Sequence, residues 1–237
     1  MAGRRGSRSA SGDGPAWDAP TLLASMARET ERISLAVHVL NCSLRHPFLL
    51  AGQLAVAQAA SRGRLQVGLG TGSGFAREDH QVTGIPFPPF TQRVARLEAC
   101  CRVLPALWRG EDVTDDELGL FDASLGPLAI DPPSLIVGGE SDRVLEVAAR
   151  HAHVWNGFGG EPARFAERAG RLDRTCDDIG RRDPILKEAQ VFAASIGRSG
   201  LRAHLDALEE AGCRRVVVVL HEERGPEAVS RLAEAVL

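Results

Sequence analysis

Lysine is nearly missing from this chain: Lys187 stands alone among 28 basic residues, the rest being arginine. The formal net charge is only −3, so no electrostatic argument points to nucleic acid or an anionic membrane surface. The five cysteines, Cys42, Cys100, Cys101, Cys176 and Cys213, are odd in number and form no C-x-x-C pair. That excludes a zinc ribbon and argues against a secreted disulfide framework. Cys100 and Cys101 read instead as small apolar residues of a helix. No apolar run reaches the length of a membrane span. Phosphate signatures are also wanting. In Gly68-Leu69-Gly70-Thr71-Gly72-Ser73-Gly74 the last position of a G-x-G-x-x-G fingerprint falls on Ser73 or Phe75, and no Gly-Lys-Ser/Thr follows. His221-Glu222-Glu223 begins like a zincin helix, but Gly225 stands where the second histidine is needed. His151 and His153 lack a further ligand at useful spacing, so no metal is expected.

What is present is an ordinary globular composition over 237 residues, 44% hydrophobic and 25% charged. Residues 1–16, rich in Arg, Gly and Ser, read as a disordered tail with no signal-peptide core after Arg4-Arg5, and cytoplasm is the default location. Residues 17–237 read as one domain. Helices are expected over Ala19–Thr30, Pro47–Ala60, Thr91–Trp108, a stretch opened by Glu140-Ser141-Asp142, Pro162–Ile179, Leu201–Ala211 and Pro226–Val236. Strands are expected at Ile33–Leu40, Leu65–Gly70, Ser134–Val137, His153–Asn156, Ala189–Ile196 and Arg215–Leu220. In the third helix Val94, Leu97, Cys101, Leu104 and Trp108 make one apolar stripe. Glu111 to Pro133 reads as an irregular excursion. Strand and helix alternate with no hairpin signal, which predicts an α/β protein with a parallel sheet, either an open doubly wound sheet or a β/α barrel. Either architecture places the site at the carboxyl ends of the strands, where Asn41, Thr71, Ser73, Ser141, Asn156 and His221 gather.

Among these positions, Gly138-Gly139-Glu140-Ser141 suits a phosphate, because glycines admit a close backbone approach and the following helix offers free N–H groups. The plain alternative is a strand–helix turn capped by Ser141 or Asp142. Thr71, Gly72 and Ser73 suit either a ligand wall or a tight turn. Trp155 suits core or a stacking platform, Asn156 a ligand contact or a turn. His38, alone in an apolar run, reads as a hydrogen-bonded core residue, and Arg45 as a loop anchor.

Several stretches taken in order resemble the luciferase-like oxidoreductase family, also called bacterial luciferase-like monooxygenases. They are Arg32-Ile33, Leu44-Arg45-His46-Pro47, Ser61 to Gly72, Thr83-Gly84-Ile85-Pro86-Phe87, Arg93 with Arg96-Leu97-Glu98, Leu107-Trp108-Arg109-Gly110, Pro133 to Gly139, and Ala148-Ala149-Arg150 before Trp155-Asn156. The resemblance implies a TIM-type (β/α) barrel, here incomplete with about six of eight strands, since the family's two leading strands and an Asp-His pair have no counterpart. It implies hydride transfer or oxygenation of a small organic substrate with FMN or the deazaflavin coenzyme F420. The implied cofactor residues are Asn41, Cys42, Thr71, Gly72, Ser73, Gly138, Gly139, Glu140, Ser141, Trp155 and Asn156. At Leu40-Asn41-Cys42 it implies a bulge with a non-proline cis peptide behind the ring. No nucleophile–base pair is evident, and cofactor chemistry requires none. The alternative is an inactive or partner-dependent remnant of the same fold, its open seam covered by a homodimer or another subunit.

Overall fold

The computed structural model describes residues 17–74, 76–220 and 225–236. The expected tail at 1–16 and the His221-Glu222-Glu223 segment lie outside the described residues. The chain divides into two compact units, the first ending at Leu135 and the second starting at Ile136.

In the first unit α1 (Ala19–Glu29) starts on Asp18, whose Oδ2 accepts from Thr21 N at 3.1 Å and from the Thr21 hydroxyl at 2.7 Å. Its far end is gathered by Arg64. That guanidinium donates to the carbonyls of Ala27 (3.1 Å), Thr30 (2.6 Å), Ser61 (2.8 Å) and Ile33. The Ile33 carbonyl is thereby taken, and β1 (Leu35–Asn41) starts two residues later than the apolar run suggests. It runs parallel to β2 (Leu65–Gly70), from Leu35↔Leu65 to Asn41↔Gly70. Between them lies α2 (Pro47–Ser61), opened by Pro47 and closed by Arg62 in the left-handed region. Helices α3 (Ala76–Thr83) and α4 (Phe90–Trp108) follow. The predicted α4 stripe is the core: Leu97, Leu104 and Trp108 are fully buried, and Trp108 Nε1 donates to Ala51 O of α2 at 3.0 Å.

The excursion after Trp108 corrects the sequence reading. It holds an antiparallel hairpin, β3 (Val113–Asp115) and β4 (Leu120–Ala123). Its turn is local: Asp115 Oδ1 accepts from Leu118 N at 3.0 Å, and Gly119 sits at φ 68°. Strands this short leave too few residues for an alternation to show.

The boundary falls within β5 (Ser134–Gly138), and from Ile136 on the second unit is a parallel sheet of the rest of β5, β6 (Val154–Phe158), β7 (Leu186–Phe192) and β8 (Arg215–Val219), in that order. Its helices are α5 (Asp142–His151), α6 (Pro162–Asp178), α7 (Ala193–Ile196), α8 (Arg198–Glu210) and α9 (Pro226–Val236). Val144, Leu145, Val147 and Ala148 of α5 are buried, as are Phe165, Ala169 and Leu172 of α6. Ile179, where the expected helix ends, is exposed just beyond α6. The expected strand Ala189–Ile196 is shifted: β7 begins at Leu186, and Ala193–Ile196 is a helical turn. Lys187 and Glu188 hid the strand's start because charged residues disfavour a strand reading, yet both have partners. Lys187 Nζ lies 2.6 Å from Asp173, and Glu188 is bound between its neighbours in the sheet.

Candidate functional site

In the first unit the site grows out of an irregularity in β1. Between the pairs Val37↔Val67 and Leu40↔Leu69 this strand carries one residue more than β2, a bulge containing a cis peptide at His38–Val39. The resemblance implied such a feature at Leu40-Asn41-Cys42; the chain carries it two residues earlier. The bulge pushes the Val37 carbonyl toward β2, so that a Cβ on Gly68 would stand 2.0 Å from that oxygen. Gly68 is therefore a glycine because of its neighbouring strand, not because of a phosphate.

Three side-chain positions converge where β1 and β2 end. Asn41 Oδ1 accepts from Ser43 N at 3.0 Å, which turns its Nδ2 toward His80 Nε2, also 3.0 Å away. His80, on α3, is buried, with Nδ1 3.1 Å from Ile85 O and 2.9 Å from Pro86 O. Carbonyl oxygens only accept, so Nδ1 carries the proton and Nε2 accepts from Asn41: the ring is a defined neutral tautomer. Gly72 closes the group at φ 75°, and a Cβ there would come within 2.6 Å of Asn41 Nδ2.

Helix α4 braces this arrangement from behind. Arg93 donates to Thr71 O at 3.0 Å, to Gly72 O, and through Nε to Pro88 O at 3.1 Å. Arg96 donates to Cys42 O at 2.8 Å and Arg45 O at 3.1 Å. Phe87 stacks under Arg93 at 4.3 Å and Arg77 at 4.7 Å, with the His80 ring edge-on at 5.0 Å. Burial and the neighbouring Arg77 draw the Arg93 pKa down, although a guanidinium keeps its charge. Arg45 anchors its loop through Asp18 at 2.8 Å, as expected.

Of the other expected residues in this unit, the Thr71 hydroxyl reaches only its own turn, 3.5 Å from Gly72 O, and Ser73 is exposed. Cys42 does not stand with Asn41. Its side chain is buried against Cys100 of α4, and that thiol together with burial pushes the Cys42 thiol well up. It packs the loop against α4.

In the second unit Gly138 ends β5 beside Asn156 of β6, and Gly139 N donates to Asn156 O at 3.1 Å. Trp155 is fully buried: its ring stacks on Phe165 at 5.2 Å, and Nε1 donates to Gly139 O at 2.8 Å. It supports the glycine loop from the helix side, the core role weighed for it against a stacking platform. Ser141 caps α5, its Oγ 3.4 Å from Val144 N. Glu140 is turned inward, accepting from Phe158 N at 2.9 Å and from Arg164 at 2.9 Å. Glu140, Ser141, Arg164, Glu167 and Arg168 line a surface depression of about 450 Å³. Two guanidinium groups and a helix N-terminus meet there, a donor set that fits a phosphate, with carboxylates balancing the charge. Asn156 is buried and donates through Nδ2 to Glu188 Oε1 at 2.8 Å.

Reasoning from sequence missed His80, Glu188 and Arg215, and gave Arg93 and Arg96 no role. The partners of His80 are an amide 39 positions away and two carbonyls of a proline-rich loop, which leave no spacing signal. Among the described residues, no helix is long and apolar enough to cross a membrane, and no group of His, Cys, Asp and Glu gathers as for a metal.

The chain is 30% identical over 172 residues to an F420-dependent glucose-6-phosphate dehydrogenase of Intrasporangium calvum, covering 67% of this chain and 51% of that protein. It thus spans about half the length of the curated relatives it matches. Among solved structures, the coenzyme F420-dependent tetrahydromethanopterin reductase of Methanopyrus kandleri superposes with a TM-score of 0.75 at 16% identity, over 93% of this chain and 87% of that one. A riboflavin lyase solved with modified FMN gives 0.62 at 20% identity, over 76% and 45%. These likenesses show the fold class expected from the resemblance, α/β of the TIM-type (β/α) barrel kind, with six parallel strands among the described residues. The model of the luciferase-like monooxygenases matches residues 5–225, and the chain belongs to that family.

Proposed function

We propose that this chain is a flavin- or deazaflavin-dependent oxidoreductase that acts on a small organic substrate in the cytoplasm, by hydride transfer or oxygenation. The observation that carries the reading is the Asn41–Gly72–His80 group: polar, preformed, and fixed by α4 at the carboxyl ends of two parallel strands. It offers no nucleophile–base pair, which suits a reaction whose chemistry belongs to a bound cofactor. Within the first unit, taken by itself, Asn41, Thr71, Gly72 and Ser73 would line a ligand. Within the second, taken by itself, Gly138, Gly139, Ser141 and Asn156 would hold a phosphate-bearing group, its phosphate at the α5 N-terminus with Arg164 and Arg168 nearby. The bound cofactor supplies hydride or oxygen chemistry; the side chains position it and exclude water. Names of relatives support both F420 and FMN. Titration of the purified protein with each cofactor, followed by fluorescence quenching, tests the reading, and absence of binding to both would sink it.

A second reading, in which the fold works as a pair of copies, draws on Trp17, Leu22 and Met26, apolar side chains exposed on or just before α1. Light scattering after size exclusion would show a dimer; a monodisperse monomer rejects it.

A further inference from the structure

Gly138, Asn156, Glu188 and Arg215 stand in one row across β5, β6, β7 and β8. Side chains alternate along a strand, and Trp155 points to α6, so Asn156 points to the face away from that helix. Glu188 is wholly buried, and Arg215 Nε binds its Oε2. Its Oε1 accepts from Asn156 Nδ2 at 2.8 Å. An ionised carboxylate only accepts, so the Asn156 amide has one orientation, with Oδ1 directed away from Glu188. That oxygen has no partner among the described residues, although Asn156 is only 7% exposed. The next position in the row is Gly138, which brings no side chain to meet it. A buried ion pair is a costly way to stabilise a sheet. Here it holds the acceptor of a buried residue in a fixed direction beside an open position, where a ligand can reach it.

We infer that Glu188 is a positioning residue: it presents Asn156 Oδ1 to accept a hydrogen bond from a planar N–H donor of the bound ligand, the imide N–H that flavin and deazaflavin rings share. The inference rests on the proposed function and goes beyond it by assigning a reader for one edge of the ring. Gln at position 188 would overturn the orientation, because its amide can donate to Asn156 Oδ1 and let Nδ2 face the ligand.

The test compares FMN with 3-methyl-FMN, whose imide hydrogen is replaced by a methyl group, by fluorescence quenching on the full chain. The wild-type protein should bind the methylated ring about tenfold more weakly, the worth of one good hydrogen bond. In E188Q and N156A, checked for folding by circular dichroism, that discrimination should fall below about twofold, a readout that general destabilisation does not move. A protein that takes only F420 is read by its affinity for F420, expected about tenfold weaker in N156A. Equal wild-type affinity for FMN and 3-methyl-FMN overturns the inference and leaves the cofactor reading standing, and it needs no variant to fold. Discrimination retained in both variants, or unchanged F420 affinity in N156A, also overturns it. A wild-type chain that binds neither cofactor removes the proposed function and this inference together.

Discussion

Replacing Gly68 by alanine should cost far more than replacing Gly74, although both lie in the same glycine run. A Cβ at position 68 would meet Val37 O at 2.0 Å, Val39 Cγ1 at 2.9 Å and Val37 C at 3.1 Å. Ordinary contact starts at 3.4 Å, so the strands must part by about 3.4 − 2.0 = 1.4 Å at the bulge. A ladder hydrogen bond near 2.9 Å tolerates only about 0.6 Å of stretching before it fails. The obstacle is backbone, which no rotamer change relieves. Overpacking of this kind costs about 1–3 kcal/mol, and at least one lost ladder bond adds about 1 kcal/mol, so the loss should reach about 3 kcal/mol. For a chain of this size that lowers the melting midpoint by about 6–12 °C. At Gly74 a Cβ meets nothing within 4 Å, and Gly74→Ala should stay within about 0.5 kcal/mol of wild type. Urea and thermal unfolding of both variants measure the difference. A Gly68→Ala loss below about 1 kcal/mol, or equal losses at the two sites, would refute the bulge as the reason for Gly68.

Arg64→Ala strips the donors from four carbonyls at the end of α1, before β1 and at the end of α2, and should cost about 2–4 kcal/mol in urea unfolding. His80→Phe keeps an aromatic ring against Phe87 but leaves Asn41 Nδ2 and the Ile85 and Pro86 carbonyls unmatched. A loss of about 2–3 kcal/mol is expected, with weaker cofactor quenching. Burial opposes the shift at Asp18, but its hydrogen bonds to Arg45 and Thr21 outweigh it and hold its pKa down. Its contribution is thus present above the ordinary value near about 3.9 and disappears as pH falls through the lower folded value. Exposure limits that contribution to less than about 1 kcal/mol, and acid titration of wild type against Asp18→Asn isolates it. Burial and Arg181 lower the His153 pKa, so the unfolded chain takes the proton first. Stability should fall as pH drops below about 6.5, and His153→Gln should flatten that slope in unfolding midpoints taken across the range.

Much of the fold was legible because regular elements advertise themselves. The α4 stripe from Val94 to Trp108 and the apolar runs of β2 and β8 carry their own period, and Pro47 and Ser141 mark helix starts. What stayed hidden depends on partners far along the chain. Lys187-Glu188 reads as a polar interruption until Asp173, Asn156 and Arg215 are known to receive it. Ile33 looks like a strand residue until Arg64, 31 positions away, captures its carbonyl. The candidate site was legible by location only in the first unit, where Asn41 ends β1 and Gly72 follows β2; Asn156, expected to close its strand, lies in the middle of β6, which runs on to Phe158. The buried faces taken by Cys42 and Trp155 were not legible, because position along a strand says nothing about which face a side chain takes. His80 escaped because backbone carbonyls, which every residue has, supply two of its ring's three partners.

Arg93 and Arg96 lie three positions apart on α4, one holding the loop after β2 and the other the loop after β1. In mechanical terms the two strand ends are riveted to a single 19-residue rod. Opening either loop therefore means breaking its hydrogen bonds to the same helix, and a tilt of that helix would pull on both loops together.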